Sequence, residues 1–495
     1  MENHTKLKAN GGTFGSRDHF LVVMVMILGV FVAILNETLL NVALSKIMDD
    51  IGILPSTAQW LTTGYLLVIG VLIPVTAFLI QRFTTRSLFL AAMGLFTAGT
   101  LIAAVAPGFV VLLTGRMLQA AGTGLLFPLL TNVVFSIVAI DKRGSAMGTI
   151  GIVITFAPAI GPTLSGIIVE HYSWRVLFYS VLPVALFVIL FALAKLKNVT
   201  ETTSPKIDLL SLLLSTIGFG GIVYGFSSAG DGHGGWSSNR VLIPIVVGVA
   251  SIGLFTWRQL RMSQPLLDLR AFKYNVFRMS TLIMMIVMMA MFSAMMLLPI
   301  FLQNALNYSP LKAGLVMLPG GIVMGIMSPI TGRLFDKFGA KWLAIIGLAL
   351  MANSLWQFAF INLATSYSMI VVLNTVLMLG ISMLMMPVMT NALNELPPPL
   401  YPHGTAIIST LQQVAGAVGT ALLVTIMTNS SKRFMEAASG TKDESGLQIL
   451  GMMVGMKSAF LLAFVLVALA WIVSFFLKAA VPPEGELENN RVSAH

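Results

Sequence analysis

Two ionisable residues stand where charge is costly. Glu37 lies inside the apolar run 20–44 and Arg116 inside the run 109–135. A lone carboxylate in hydrocarbon costs several kcal/mol unless it is protonated, paired or wet. A group that must gain and lose a proton to stay there can carry one. A permanent cation nearby stabilises the ionised form and so helps the proton leave. The alternatives are structural: Glu37 hydrogen-bonded to a neighbouring helix, and Arg116 snorkelling outward or pinning helix packing.

Uncharged polar residues interrupt other apolar runs. Asn36, Asn41, Gln119, Asn132, Asn391 and Gln412 can line a cavity or tie helices together. Seven methionines crowd 284–296, and Met284, Met288, Met291 and Met295 share one helical stripe. Thioethers are flexible and polarizable, which suits a surface for varied apolar ligands; ordinary packing or lipid contact would use them equally well. Gly161, Pro162 and Gly166 combine small residues with a helix-bending proline, expected at a close helix contact. Asp336, with Arg333 beside it, reads as a helix cap or conformational latch. The histidines are scattered and cysteine is absent, so neither a metal site nor a nucleophile–base pair is expected. No phosphate-binding GxxxxGK[ST] occurs, which disfavours nucleotide-driven work.

The elements that position these residues follow from composition. Of 495 residues 57% are hydrophobic and 10% charged, with mean hydropathy +0.91. A typical soluble domain has roughly 25% charged residues. Continuous apolar runs near ~20 residues predict membrane-spanning helices rather than a barrel. Fourteen are expected, near 20–44, 58–81, 87–106, 109–135, 146–169, 175–196, 208–228, 240–258, 279–303, 311–332, 340–361, 368–392, 404–428 and 455–478. With both termini inside, 20 of the 29 Lys and Arg fall in inner segments, which favours that orientation. The net charge of +10 then reflects orientation and implies no nucleic-acid partner.

The sequence also repeats. Residues 74–83 (PVTAFLIQRF) lie over 329–338 (PITGRLFDKF), 127–132 (FPLLTN) over 386–391 (MPVMTN), and 144–146 (GSA) over 404–406 (GTA). These matches carry span 2 onto 10, 4 onto 12 and 5 onto 13. The step is an even number of spans, so the copies are parallel. Six helices, two inserted helices and six more are expected. Parallel halves about an axis along the membrane normal are a transporter layout, with substrate between the halves near the midplane. The predicted organisation is a tail 1–19, a bundle 20–197, an insertion 198–260, a linker 261–278, a bundle 279–478 and a tail 479–495.

Five segments together resemble the major facilitator superfamily, and within it the fourteen-span drug:proton antiporters. Residues 332–341 (GRLFDKFGAK) match GxLxDxxGxK, while the first-half copy 77–86 has Gln81 and Thr84 where the acid and second glycine would stand. Residues 113–122 (LTGRMLQAAG) resemble the fourth-span arginine motif. Residues 161–166 (GPTLSG) resemble GPxxGG, with Ser165 for a glycine. Residues 35–44 (LNETLLNVAL) resemble LDxTxxNVAL, with Asn36 replacing the acid and Glu37 following it. Residues 265–270 (PLLDLR) resemble the lead into the ninth span. The Asn-Glu pair is closest to the lincomycin-exporter branch.

The resemblance implies an all-α fold and a monomeric plasma-membrane antiporter without cofactors. It would export small hydrophobic compounds by alternating access, driven by the proton gradient. It implies proton transfer or gating at Arg116, an export-associated helix contact at 161–166, and proton coupling at Glu37. A one-residue step turns a helical side chain by ~100°, so Glu37 would meet the cavity at a different angle from the family's acid. Other cargo, such as a metabolite, lipid or amino acid, and a non-transporting sensor remain alternative readings.

Overall fold

The structure is a computed structural model that describes residues 16–137, 156–157, 160–198, 208–229, 235–262, 265–397, 400–438 and 444–478. The described residues contain helices and no strand. The helices are α1 Ser16–Ile51, α2 Trp60–Arg82, α3 Thr85–Ala104, α4 Phe109–Ile137, α5 160–171, α6 Arg175–Lys195, α7 Leu209–Ser228, α8 Asn239–Arg261, α9 Asn275–Asn304, α10 Pro310–Phe335, α11 Lys337–Ala359, α12 Tyr367–Asn394, α13 Tyr401–Ala437 and α14 Glu444–Ser474. Without water in the bilayer core, each backbone N–H must bond within its own segment, so apolar runs of this length become helices.

Twelve of the described helices are long and apolar enough to cross a membrane. The twelve do not include α2, itself a 23-residue helix, or the expected fifth span, whose residues 146–155 and 158–159 lie outside the described residues. Two boundaries differ from expectation. The stretch between the expected spans 404–428 and 455–478 is helical over most of its described residues, since α13 runs on to Ala437 and α14 begins at Glu444. Polar residues there extend the helices beyond their apolar spans. From α10 into α11 the chain stays helical except at Gly339, in the first turn of α11, whose φ of 73° lies in the left-handed region that glycine enters without penalty.

The halves pack as two groups. α1 packs on α4 and α6, α3 on α4 and α6, and α2 on α4. In the second group α9 packs on α12, α13 and α14, with α10 and α11 against α12 and α14. The inserted α7 and α8 pack on each other, and α7 bridges α2 and α13. An apolar cluster of Leu66, Phe219, Val223, Val414 and Ala417 fills that three-helix junction. At one end of the insertion Asp208 caps α7 and accepts from Arg258 Nε and Nη2, both at 3.0 Å. This pair holds the Asp208 carboxyl at a pKa of about 2, below the usual carboxylate range. Gln259 Nε2 donates to Ser211 Oγ at 2.6 Å, and Gln259 Oε1 accepts from Leu267 N at 3.1 Å, joining the insertion to the linker.

Candidate functional site

Arg116 sits in α4 and is 1% exposed. Two helices contact its guanidinium, and a third fixes one of the contacting side chains. Nη1 donates to Gln119 Oε1 at 2.9 Å, one turn along α4. Nε donates to the Leu61 carbonyl of α2 at 3.4 Å. The cation stacks over the Tyr65 ring, 4.1 Å from its centroid. A desolvated cation over an aromatic face gains about 2 kcal/mol. Gln119 is in turn fixed by α3, donating from Nε2 to Thr100 Oγ1 at 2.8 Å. Tyr65 shares a 2.8 Å hydrogen bond with Thr123 Oγ1, which donates to the Gln119 carbonyl at 3.0 Å. The guanidinium is therefore oriented by two hydrogen bonds and one ring face.

Glu37 approaches this cage from α1. It is half-buried and lies within electrostatic reach of both Arg116 and Tyr65. No ion pair within 4.0 Å joins it to Arg116. The structure thus brings together the two residues singled out by the scarcity of charge, and keeps them apart by more than a direct contact. A carboxyl in this position senses a fixed positive charge while its own oxygens stay free for a proton or a ligand. Tyr65, Thr100 and Thr123 were not legible as partners, because they sit on other helices at no diagnostic spacing from Arg116.

The other expected residues divide. Asn36 and Asn41 are buried in α1, and the Asn36 Nδ2 has no hydrogen-bond partner. Gln119, expected to line a cavity, is fully buried and holds Arg116 instead. Asn391 is also buried and donates from Nδ2 to the Lys478 carbonyl at 3.1 Å, tying α12 to the chain beyond α14. Asn132 is half-buried on α4. Gln412, on α13, points its Nε2 at Met284 Sδ, 3.9 Å away. Arg333 is exposed on α10, and the Asp336 side chain lies outside the described residues.

The helix α5 joins both groups. A Cβ on Gly161 would fall 2.1 Å from Thr38 Oγ1 of α1. On the other side a Cβ on Gly166 would fall 2.5 Å from the Pro310 carbonyl oxygen, and a Cβ on Gly314 would fall 2.5 Å from that of Pro162. Backbones meet where side chains are missing on both helices. Thr163 Oγ1 donates to the Gly314 carbonyl at 3.2 Å, and Glu170 Oε2 accepts from Leu311 N at 2.8 Å at the start of α10. At the same end of the molecule Gln303 Nε2 of α9 donates to the Val42 carbonyl of α1 at 2.9 Å. The halves are sealed there.

Residues 26–420 match the family model described as the Major Facilitator Superfamily. The chain belongs to this superfamily. It is 48% identical to the lincomycin resistance protein LmrB of Bacillus subtilis (strain 168), over 92% of this chain and 95% of that one. It is 31% identical to the multidrug resistance protein B homolog of Mycobacterium tuberculosis (strain ATCC 25618 / H37Rv), over 82% of this chain and 75% of that one. Among solved structures, a bacterial homolog of the human lysosomal transporter Spinster matches with a TM-score of 0.68 at 14% identity, covering 95% of this chain and all of that one. A peptide transporter POT matches with a TM-score of 0.65 at 16% identity, covering 92% and 96%. These likenesses give the fold. As a major facilitator the chain is an integral membrane transporter and not an enzyme. The Arg116 cage and the α5–α10 contact then lie on the two structures that a two-half transporter must control, the interior and the seal.

Proposed function

We propose that the protein is a proton-coupled efflux antiporter of the plasma membrane, exporting small apolar or amphiphilic compounds. The observation that carries this reading is Glu37, a half-buried carboxyl within electrostatic reach of a buried, hydrogen-bonded Arg116 without pairing to it. The names of its relatives, lincomycin resistance and multidrug resistance proteins, support an antibiotic or drug as cargo.

The chain crosses the membrane fourteen times, with α2 and the fifth span added to the twelve helices above, and both termini are cytoplasmic. The sealed end, where Glu170 meets α10, is external. Glu37 takes a proton from outside when the outer end is open, and the neutral carboxyl favours release of substrate and return. On the inner side Arg116 stabilises the carboxylate, the proton leaves, and substrate enters. Downhill proton flow then drives export. The working unit is a monomer.

A susceptibility profile tests cargo and direction together. Cells expressing the protein should tolerate lincomycin or other apolar antibiotics at several-fold higher concentrations than cells lacking it. An identical profile across compound classes would remove the export reading.

A further inference from the structure

A cavity of about 370 Å³ opens on the side of the second bundle, where α11 ends and α12 begins. Its walls include Trp356 of α11, Phe360, Ile361 and Thr365 of the connection, and Met369 and Leu373 of α12. All belong to one half, so the cavity is not part of the space between the halves. Trp356, Phe360 and Met369 are exposed, as are Leu363 and Val372 near them in the chain. On a membrane transporter an exposed apolar flank faces acyl chains, so the cavity opens to the bilayer. Leu373 is buried and lies six residues, ~9 Å, in from the start of α12. The cavity therefore runs from the polar connection towards the hydrocarbon.

A cation stands at its mouth. Lys457 of α14 is exposed, and its Nζ lies 5.0 Å from the centroid of the Phe360 ring. No carboxylate pairs with it among the described residues. The wall below is aromatic: Trp356 packs on Phe360 at 4.9 Å between ring centroids and on Phe464 of α14 at 5.0 Å. Tryptophan concentrates at the depth where headgroups meet chains. An apolar trough with a free ammonium at its polar end complements an amphiphile with an anionic head. No charged residue lines the trough itself.

We infer that this cavity seats one anionic phospholipid, an acyl chain along Trp356, Met369 and Leu373 and the phosphate on Lys457. The ammonium keeps donors free for phosphate on the side turned away from the ring. The seat needs neither export nor a particular orientation of the chain, so it stands or falls separately from the function proposed above.

The test uses the full chain in phosphatidylcholine nanodiscs. Increasing fractions of phosphatidylglycerol or phosphatidylcholine with brominated acyl chains replace the host lipid, and bromine quenches indole emission on near contact. The chain has seven tryptophans, so each protein is compared with its own Trp356→Phe version and the difference is the emission of Trp356. Half-quenching by brominated phosphatidylglycerol is expected at about fivefold lower mole fraction than by brominated phosphatidylcholine. Lys457→Gln should remove that preference and Lys457→Arg should keep it. Arg240→Gln, an exposed cation at the start of α8, should leave it unchanged. Ile361→Phe/Met369→Phe narrows the cavity with Lys457 intact and should also remove it.

Equal half-quenching by the two lipids in the wild type would overturn the seat. A preference that survives Lys457→Gln would remove the phosphate contact. One that survives Ile361→Phe/Met369→Phe would mean that charge acts at an ordinary lipid surface and that the cavity holds no chain. Loss of the preference on adding soluble glycerol phosphate would assign the site to a free anion instead of a lipid.

Discussion

Arg116 is held by a planar fork of hydrogen bonds and a ring face, and that geometry sets what substitutions do. Lysine keeps the charge but cannot reach both Gln119 Oε1 and the Leu61 carbonyl, nor stack flat on Tyr65. Arg116→Lys is expected to lower export about tenfold or more, measured as accumulation of a transported dye, while the protein still folds and inserts. Tyr65→Phe keeps the ring and loses only the bond to Thr123, so a reduction of about twofold is expected, consistent with a net hydrogen bond of ~0.5–1.5 kcal/mol. Equal losses in the two variants would mean that the Tyr65 hydroxyl, and not only the ring, is needed to hold the guanidinium in place. At this scale the sequence was informative because charge is scarce: an acid and a base stranded in apolar runs are visible without any fold. The partners were not, since Tyr65, Thr100 and Thr123 are ordinary span residues until packing places them. Gln119 was legible as polar but not as the clamp on Arg116, which depends on α3 supplying Thr100.

The seal between α5 and α10 belongs to the scale of elements. Because the chain contains no cysteine, introduced thiols can be read without background. Glu170→Cys with Leu311→Cys should form a disulfide under oxidation, arrest export, and recover on reduction, if the halves separate there in each cycle. Full export with the crosslink intact would show that this contact does not open. The insertion has its own fastening at Asp208. Its carboxyl has a lowered pKa in the folded protein, so the stabilisation it provides is complete above about pH 4 and is lost as pH falls through about 2. Asp208→Asn should reduce thermal stability in detergent at neutral pH by the equivalent of about 1 kcal/mol or less, since the pair is open to solvent. The gap to wild type should close as pH is lowered towards 2; a gap that persists would assign the effect to something other than the carboxylate. The reciprocal glycines explain why this contact was only half legible. The 161–166 motif advertised close packing, but Gly314 lies in an unremarkable apolar run, and only the crossing of the two helices pairs them.

For the whole molecule, hydropathy was enough to reach an all-helical membrane protein, because membrane-spanning helices announce themselves one by one, and the internal repeat leads to the expectation of two parallel halves with an inserted pair. Where the inserted pair sits was not legible, since α7 meets α2 and α13 through apolar faces indistinguishable from lipid-facing ones. Orientation is testable on the same cysteine-free background. Ser237→Cys, in the turn before α8, should react with a membrane-impermeant maleimide in intact cells, and Lys337→Cys, at the start of α11, only after permeabilisation. The reverse pattern would invert the assignment of the sealed end. The central claim is that Glu37 exchanges a proton for cargo. Its most direct test is proton movement in everted, energised vesicles on addition of a compound that the susceptibility profile identifies. Wild-type vesicles should lose part of their pH gradient on that addition, and Glu37→Gln vesicles should keep theirs while still binding the compound. Exchange in Glu37→Gln at the wild-type rate would place the coupling carboxyl elsewhere.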